Sequence, residues 1–176
     1  HIVSAMTRIM APLLAFTSAE IWQAMPHCAA DNTKSVFLNE MPEYNEAYCF
    51  SELVEKWDKL FEYRDDVMKA LELARANKMI GKSLDAKVTV YANDDEAYNT
   101  LNAFASELAT VYITSQAYVV KGDAPEGAFT ETQTGIAVLV EPADGCKCDR
   151  CWSYSEKGVT DEDGGFLCDR CRKIIL

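Results

Sequence analysis

The sequence has no excess of positive charge. It carries 17 Lys+Arg against 28 Asp+Glu, a formal net charge of −11 and a pI near 4.6. That balance argues against a protein that coats nucleic acid through overall charge. Glycine and proline are scarce, at 8 and 5 of 176 residues, while 49% of the residues are hydrophobic. Collagen-like, low-complexity and disordered acidic chains are thereby excluded. No apolar run approaches the ~20 residues needed to span a bilayer. The opening segment HIVSAMTRIMAPLL has neither the basic start nor the small-residue cleavage site of a signal peptide. Nor does it begin with Met; it opens inside an apolar pattern and reads as a piece of a longer chain. The two histidines, His1 and His27, have no neighbouring motif and are assigned no role.

What is abundant is cysteine, unevenly placed. Of the seven, five fall between 146 and 171, with Cys28 and Cys49 apart as small core or loop residues. An odd count without a secretion signal is poor material for a disulfide framework. The crowding points instead to metal ligation in a reducing compartment, the cytoplasm. Cys148-x2-Cys151-x16-Cys168-x2-Cys171 has four-cysteine zinc spacing. Each two-residue gap folds into a tight knuckle whose backbone amides face the sulfurs. Two knuckles close a tetrahedron with no open position, which suits a structural rather than a catalytic zinc. Zinc also provides the folding free energy that a short, core-poor module lacks. Cys146 is left over, because a one-residue gap to Cys148 makes a poor knuckle. Gly164-Gly165 is placed to turn the chain between two hairpins.

Hydrophobic periodicity organises the rest. Ile2, Val3, Met6, Ile9, Met10 and Leu13 form a helical stripe that Pro12 ends or kinks. Thr17-Ser-Ala-Glu20 has capping-box spacing, so a second helix is expected from Thr17. Residues 26–50 read as a long connection, with Val36-Phe37-Leu38 dipping into the core. The longest helical signal runs from Ser51 to Lys78, its buried stripe marked by Leu53, Trp57, Leu60, Phe61, Val67, Met68, Leu71 and Ala74. Gly81 stands where a C-cap glycine is expected. Strands are expected at 87–91, 112–120 and 135–141, with a helix at 94–108 and a loop at 121–134. The class is therefore α+β: N-terminal helices, a small mixed α/β sheet domain and a C-terminal zinc ribbon. The expected divisions are 1–80, 81–144 and 145–176.

Charge is distributed unevenly too. Residues 146–176 hold six basic residues (Lys147, Arg150, Lys157, Arg170, Arg172, Lys173) and six acidic ones (Asp149, Glu156, Asp161, Glu162, Asp163, Asp169). The preceding residues carry the whole excess of acid. An Arg sits in each knuckle, and Trp152 comes directly after a ligand, which suits stacking on an unpaired base. Packing of Trp152 against the neighbouring domain is the equal alternative. Arg150, Arg170, Arg172 and Lys173 are candidates for phosphate or base contacts. A second set, Arg75, Lys78 and Lys82, would share a helix face. Arg64, inside the apolar stripe, either pairs with a carboxylate such as Glu20 or Asp65 or contacts nucleic acid at a domain seam.

Several of these segments resemble one family. Ala11-Pro-Leu-Leu-Ala-Phe-Thr-Ser-Ala-Glu-Ile-Trp22 is similar to the anticodon-binding helical region of class I synthetases for branched aliphatic amino acids, and Ser35-Val-Phe-Leu38 with Met41-Pro42 to the segment after it. Arg64-x2-Val67-x-Lys69-Ala-Leu-Glu-x-Ala-Arg75-x2-Lys78-x-Ile80-Gly-Lys-Ser-Leu-Asp-Ala-Lys-Val88 resembles the late region of the isoleucyl-tRNA synthetases. Lys147-Cys-Asp-Arg-Cys-Trp152 and Leu167-Cys-Asp-Arg-Cys171 resemble their terminal zinc ribbon. The resemblance implies a C-terminal piece of an enzyme that joins isoleucine to its tRNA using ATP. The HIGH and KMSKS motifs do not occur here, so this piece itself would be non-catalytic and ATP would bind only elsewhere in the parent. Its partners would be the anticodon arm of isoleucine tRNA and the rest of the parent in cis, with no membrane and as a monomer. Two rivals are a DNA glycosylase of the formamidopyrimidine type, whose finger has similar spacing, and a zinc-ribbon adaptor for proteins.

Overall fold

The computed structural model describes residues 1–160 and 164–175. It divides into two compact units, His1–Phe50 and Ser51–Leu176. The long helix thus groups with the sheet and ribbon, although periodicity alone places it with the N-terminal helices in 1–80.

In the first unit, α1 (Ile2–Met10) and α2 (Ala15–Ala24) flank Pro12. The break is where proline's missing amide requires it. The second helix starts two residues before Thr17, with Leu14 at its N-cap and no side-chain cap, so the expected capping box is not used. Trp22 is fully buried with Ala11 and Val36, and its indole donates to the Asn32 carbonyl at 3.0 Å. The predicted stripe of α1 does not face this core. Ser4, Thr7 and Ala11 do, whereas Ile2, Met6, Ile9 and Leu13 lie exposed. The Thr7 hydroxyl satisfies itself on the Val3 carbonyl at 2.7 Å, and Ser4 reaches Asp31. Of Val36-Phe37-Leu38, a single 3-10 turn, only Val36 is buried. The turn is held by Asn39, whose side chain accepts from the Asn32 amide at 2.7 Å and donates to the Ser35 carbonyl at 2.8 Å.

The second unit begins with α3 (Ser51–Ala76), 26 residues and about 39 Å long. Leu60, Val67, Ala70, Leu71 and Ala74 are buried on one face; Leu53 and Phe61 are exposed. The helix ends without help from Gly81. Lys78 takes the left-handed conformation at φ 59°, and the Met79 amide bonds back to the Ala74 carbonyl while that of Lys78 reaches Arg75. This is a Schellman closure with lysine in the position that glycine usually fills.

Next in the chain is a three-stranded sheet, ordered β2-β1-β3: β1 (Ala86–Ala92) is central, β2 (Gln116–Lys121) runs parallel to it and β3 (Ala137–Pro142) antiparallel. A parallel neighbour requires a crossover, supplied by α4 (Asp95–Ala103) and α5 (Leu108–Tyr112). Asp94 caps α4 through the Ala97 amide at 2.8 Å. The second strand begins later than its pattern predicts, because Tyr112 closes α5 and Ile113 turns left-handed at φ 57°. The core joins Val88, Val90, Val138 and Val140 to Leu71, Leu101, Leu108 and Tyr112.

The loop 121–134 is fixed by one carboxylate. Asp66 on α3 is buried, yet accepts from the Gln133 and Thr134 amides at 3.0 Å, from the Thr134 hydroxyl at 2.8 Å and from Lys69 at 3.2 Å. Burial opposes its charge, but these donors outweigh that cost and hold its pKa below the usual carboxylate value. A depressed native pKa stabilises the fold above the unfolded pKa, and this stability is lost as pH falls through the native one. Asp66→Asn should therefore destabilise the chain by about 2 kcal/mol at neutral pH, since an amide donor would face two backbone donors. Urea unfolding over a pH series should show the two proteins converging in strong acid.

Candidate metal centre and nucleic-acid interface

The ribbon consists of two hairpins and a short helix. The hairpins are β4 (Cys146–Lys147) with β5 (Tyr154–Ser155), and β6 (Gly158–Thr160) with β7 (Phe166–Cys168). The helix α6 (Asp169–Ile175) closes the module. Gly164, at φ 86°, lies inside the second hairpin and not between the two. Gly145, at φ 90°, is needed for a different reason: any Cβ there would collide with the Ser155 backbone of the paired strand.

The first knuckle lies in the turn between β4 and β5, and the second runs from the end of β7 into α6. The Cys148 amide donates to the Ser153 carbonyl at 2.9 Å, and the Trp152 amide to the Cys148 carbonyl at 2.8 Å. Asp149 ties the two hairpins together, its amide bonding the Phe166 carbonyl at 3.0 Å and its carboxylate accepting from the Phe166 amide at 2.9 Å. The Sγ atoms of Cys148, Cys151, Cys168 and Cys171 consequently all lie within 4.8 Å of one another. A tetrahedron with Zn–S bonds of about 2.3 Å has edges of about 3.8 Å; Cys151 and Cys168 are 3.8 Å apart.

The electrostatics suit thiolates. Cys148 is buried, but the amides of Cys151, Cys168 and Arg150 outweigh that cost and lower its pKa. Burial opposes Cys151 as well, yet the Ser153 amide and the neighbouring thiols bring it down to about 6. Burial and its sulfur neighbours push Cys171 up to about 12. Cys148 and Cys151 are thus the two ligands whose surroundings favour the thiolate, and metal binding displaces the proton of a ligand such as Cys171 that would otherwise keep it. Four sulfurs with no open position make one structural zinc site, and Cys146, exposed on β4, is outside it.

The ribbon is seated on the sheet by specific bonds. Ser115 donates to the Leu84 carbonyl and accepts from the Tyr154 amide at 2.7 Å. Gln116 clamps Asp144 in both directions, accepting from its amide at 2.9 Å and donating to its carbonyl at 3.2 Å. A cleft of about 560 Å³ opens between the end of α5 and the ribbon, with Ile113, Thr114 and Ser115 on one side and Cys151, Tyr154 and Arg170 on the other.

This seating brings two of the predicted basic sets together. Trp152 is 56% exposed and sits in the left-handed region at φ 64°. Lys82 lies over its ring at 5.4 Å and Lys147 at 5.8 Å. In the sequence Lys147 is only one of six basic residues; its adjacency to the first ligand is the signal that could have singled it out. Arg150 is exposed with no side-chain partner among the described residues, Lys173 is exposed, and Arg172 is half-buried near Asp169 at 4.0 Å. Arg170 is exposed and lines the cleft together with Cys151. Of the helix set, Arg75 pairs with Glu72 at 2.6 Å and reaches Ser83, and Lys78 is the exposed left-handed residue that ends α3. Arg64 meets neither expected carboxylate: its Nε donates to the Val111 carbonyl at 3.0 Å, in the last turn of α5, where a cation complements the helix dipole.

Comparison with known proteins agrees with this architecture. A family model described as the anticodon-binding domain of tRNA ligase matches residues 1–90, and one described as a zinc finger found in FPG and IleRS matches residues 145–174. The chain belongs to the anticodon-binding domain family of tRNA ligases and ends in that zinc finger. More particularly, it is similar to isoleucine–tRNA ligases. That of Caldanaerobacter subterraneus subsp. tengcongensis is 42% identical over 99% of this chain and 19% of the relative. The enzyme of Desulforamulus reducens is 40% identical over 98% and 18%, and that of Geobacter sulfurreducens 37% over 99% and 18%. The chain spans about a fifth of the length of the curated relatives it matches.

Zinc and thiol measurements should agree. Elemental analysis should give one zinc per chain, and a thiol reagent should titrate Cys28, Cys49 and Cys146 before chelation and all seven cysteines after it. Because protons compete with the metal for thiolate sulfur, zinc should also leave on acidification.

Proposed function

We propose that this chain is the tRNA-reading part of an enzyme that attaches isoleucine to its tRNA using ATP. In this reading residues 1–80 end the helical anticodon-binding region, 81–144 form a junction, and 145–176 close over the anticodon loop. The catalytic domain and its ATP site belong to the rest of the parent, which acts as a cytoplasmic monomer. The family match at residues 1–90 favours this over a formamidopyrimidine-type DNA glycosylase, with which the shared element is the terminal finger. It equally disfavours a zinc-ribbon protein adaptor.

The observation that carries the proposal is Trp152. A left-handed backbone costs a non-glycine residue about 1–2 kcal/mol, and such strain concentrates at functional sites. Here it holds a large, exposed indole with two ammonium groups over its ring, and Arg150 on the same knuckle. An aromatic platform rimmed by cations fits an unstacked base and its phosphates. The acidic remainder of the chain prevents indiscriminate binding, so affinity rests on a few placed contacts. Arg150, Arg172, Lys173, Lys82 and Lys147 are the cations proposed to make them. Arg64, Arg75 and Lys78 have the weaker claim, since the first two are occupied within the fold.

Trp152→Gly separates this role from a structural one. Relief of the left-handed strain should leave zinc content unchanged and stability equal or about 1 kcal/mol higher. Affinity for isoleucine tRNA should fall about tenfold or more, the worth of one stacked base. A filter-binding titration showing undiminished affinity would remove Trp152 from the interface.

A further inference from the structure

The first knuckle has a second side. Trp152, with Lys82 and Lys147 over its ring, occupies one. The cleft of about 560 Å³ lies along the other: Cys151 and Ser153 line it, and Trp152 between them does not. The chain before β1 divides in the same way, Leu84 lining the cleft and Lys82 standing over the indole. Ile113 faces the cleft from the end of α5, at φ 57°. Glycine usually takes that position at a helix end, and a β-branched residue rarely adopts it. The Ile113 side chain is 56% exposed, so core packing does not require it there. Strain of this kind points to function. Trp152 is left-handed as well, so each side of the knuckle carries one strained, exposed, apolar side chain.

The cleft has the chemistry of a nucleotide site. Half-buried Tyr154 brings an aromatic ring, and Leu84 and Ile113 bring aliphatic surface. Lys157 and Arg170 are exposed cations on its wall, and Lys157 forms no ion pair among the described residues. The one carboxylate there, Asp169, lies 4.0 Å from Arg172 on its own helix. The lining is therefore cationic in a chain of net charge −11. Its volume is within the range of about 300–1,000 Å³ usual for small-ligand sites. We infer that this cleft takes a second unpaired nucleotide of the bound RNA, with its base between Tyr154 and Ile113 and its phosphate on Lys157 and Arg170. The knuckle then stands as a wedge between two neighbouring nucleotides, one on Trp152 and one in the cleft. This rests on the RNA-binding reading above and adds to it a site with its own residues.

The test uses the full, zinc-loaded chain, isoleucine tRNA over a salt series, and nucleoside 5′-monophosphates as small probes. Asparagine and aspartate both tolerate the left-handed position, so Ile113→Asn and Ile113→Asp should fold and hold zinc as wild type does. Ile113→Asp sets a carboxylate in the path of the phosphate and should weaken tRNA binding about tenfold or more relative to Ile113→Asn. Lys157→Gln should lower the salt slope by about 0.7, the share of one phosphate contact on a single strand. The Ile113 methyl resonances should shift on addition of the monophosphates, in wild type and in Trp152→Gly alike. Unaltered tRNA affinity in Ile113→Asp together with an unaltered slope in Lys157→Gln would overturn the cleft, and a loss of affinity in Trp152→Gly would then leave the Trp152 platform standing alone. The opposite pattern removes the platform and keeps the cleft. If the chain binds no tRNA, the proposed function fails and the monophosphates decide: shifts at Ile113 support a nucleotide site, and their absence counts against it. Should Ile113→Asp lose its zinc, Lys157→Gln and the methyl shifts decide in its place.

Discussion

Closure of four sulfurs around one point is the constraint on which the ribbon depends. Its strands are two or three residues long, and its buried cluster is made of the cysteines with Phe166 and Leu167 packed against them. Apolar burial on that scale cannot offset the entropy of ordering about thirty residues. Metal binding supplies the difference, on the order of 10 kcal/mol or more for small zinc modules. Trp152, Lys147 and Arg150 take their positions from that closure, because each lies within one residue of a ligand. The surface proposed to read RNA is therefore rigid only when the metal is bound.

The sheet contributes a different kind of order. Its centre is apolar and continuous with α3, while its edges and connections hold the bonds that point outward. Lys87 reaches Asp144 at 2.9 Å, and the Ala143 amide meets the Asp85 carbonyl at 2.8 Å. The cations of this unit are largely paired, as with Lys59 and Glu96 at 2.7 Å, Lys69 and Asp66 at 3.2 Å, and Lys87 and Asp144 at 2.9 Å. Exposed pairs of this sort add little stability, but they leave few free cations away from the ribbon. A chain with net charge −11 can therefore present a local cationic rim without becoming a general polyanion trap.

Local spacing makes the cysteine site legible, since a CxxC knuckle needs nothing from the rest of the chain to form. The β1 alternation and the α3 periodicity are legible for the same reason. Burial direction is not. The apolar stripe of α1 is real, but small polar residues Ser4 and Thr7 take the inward face because they satisfy their hydroxyls within the helix or on Asp31. Gly81 draws the C-cap expectation, yet Lys78 makes the left-handed turn. The pairing of Lys82 with Trp152 joins residues seventy positions apart and depends on how the ribbon is seated, which no periodicity encodes. Arg64 meets a helix-end carbonyl instead of a carboxylate, a partner with no side-chain signature.

Seating and metal binding are carried by separate atoms, and the division is sharpest at Ser115. Its one hydroxyl proton goes to Leu84 and its lone pair to the Tyr154 amide, so the bond pattern has a fixed direction from ribbon to sheet. With the Gln116–Asp144 clamp, this one oxygen seats the surface proposed to read RNA, and it lies outside every recognisable motif. A chain could keep its zinc, its tryptophan and all its cations, and still hold them at the wrong angle.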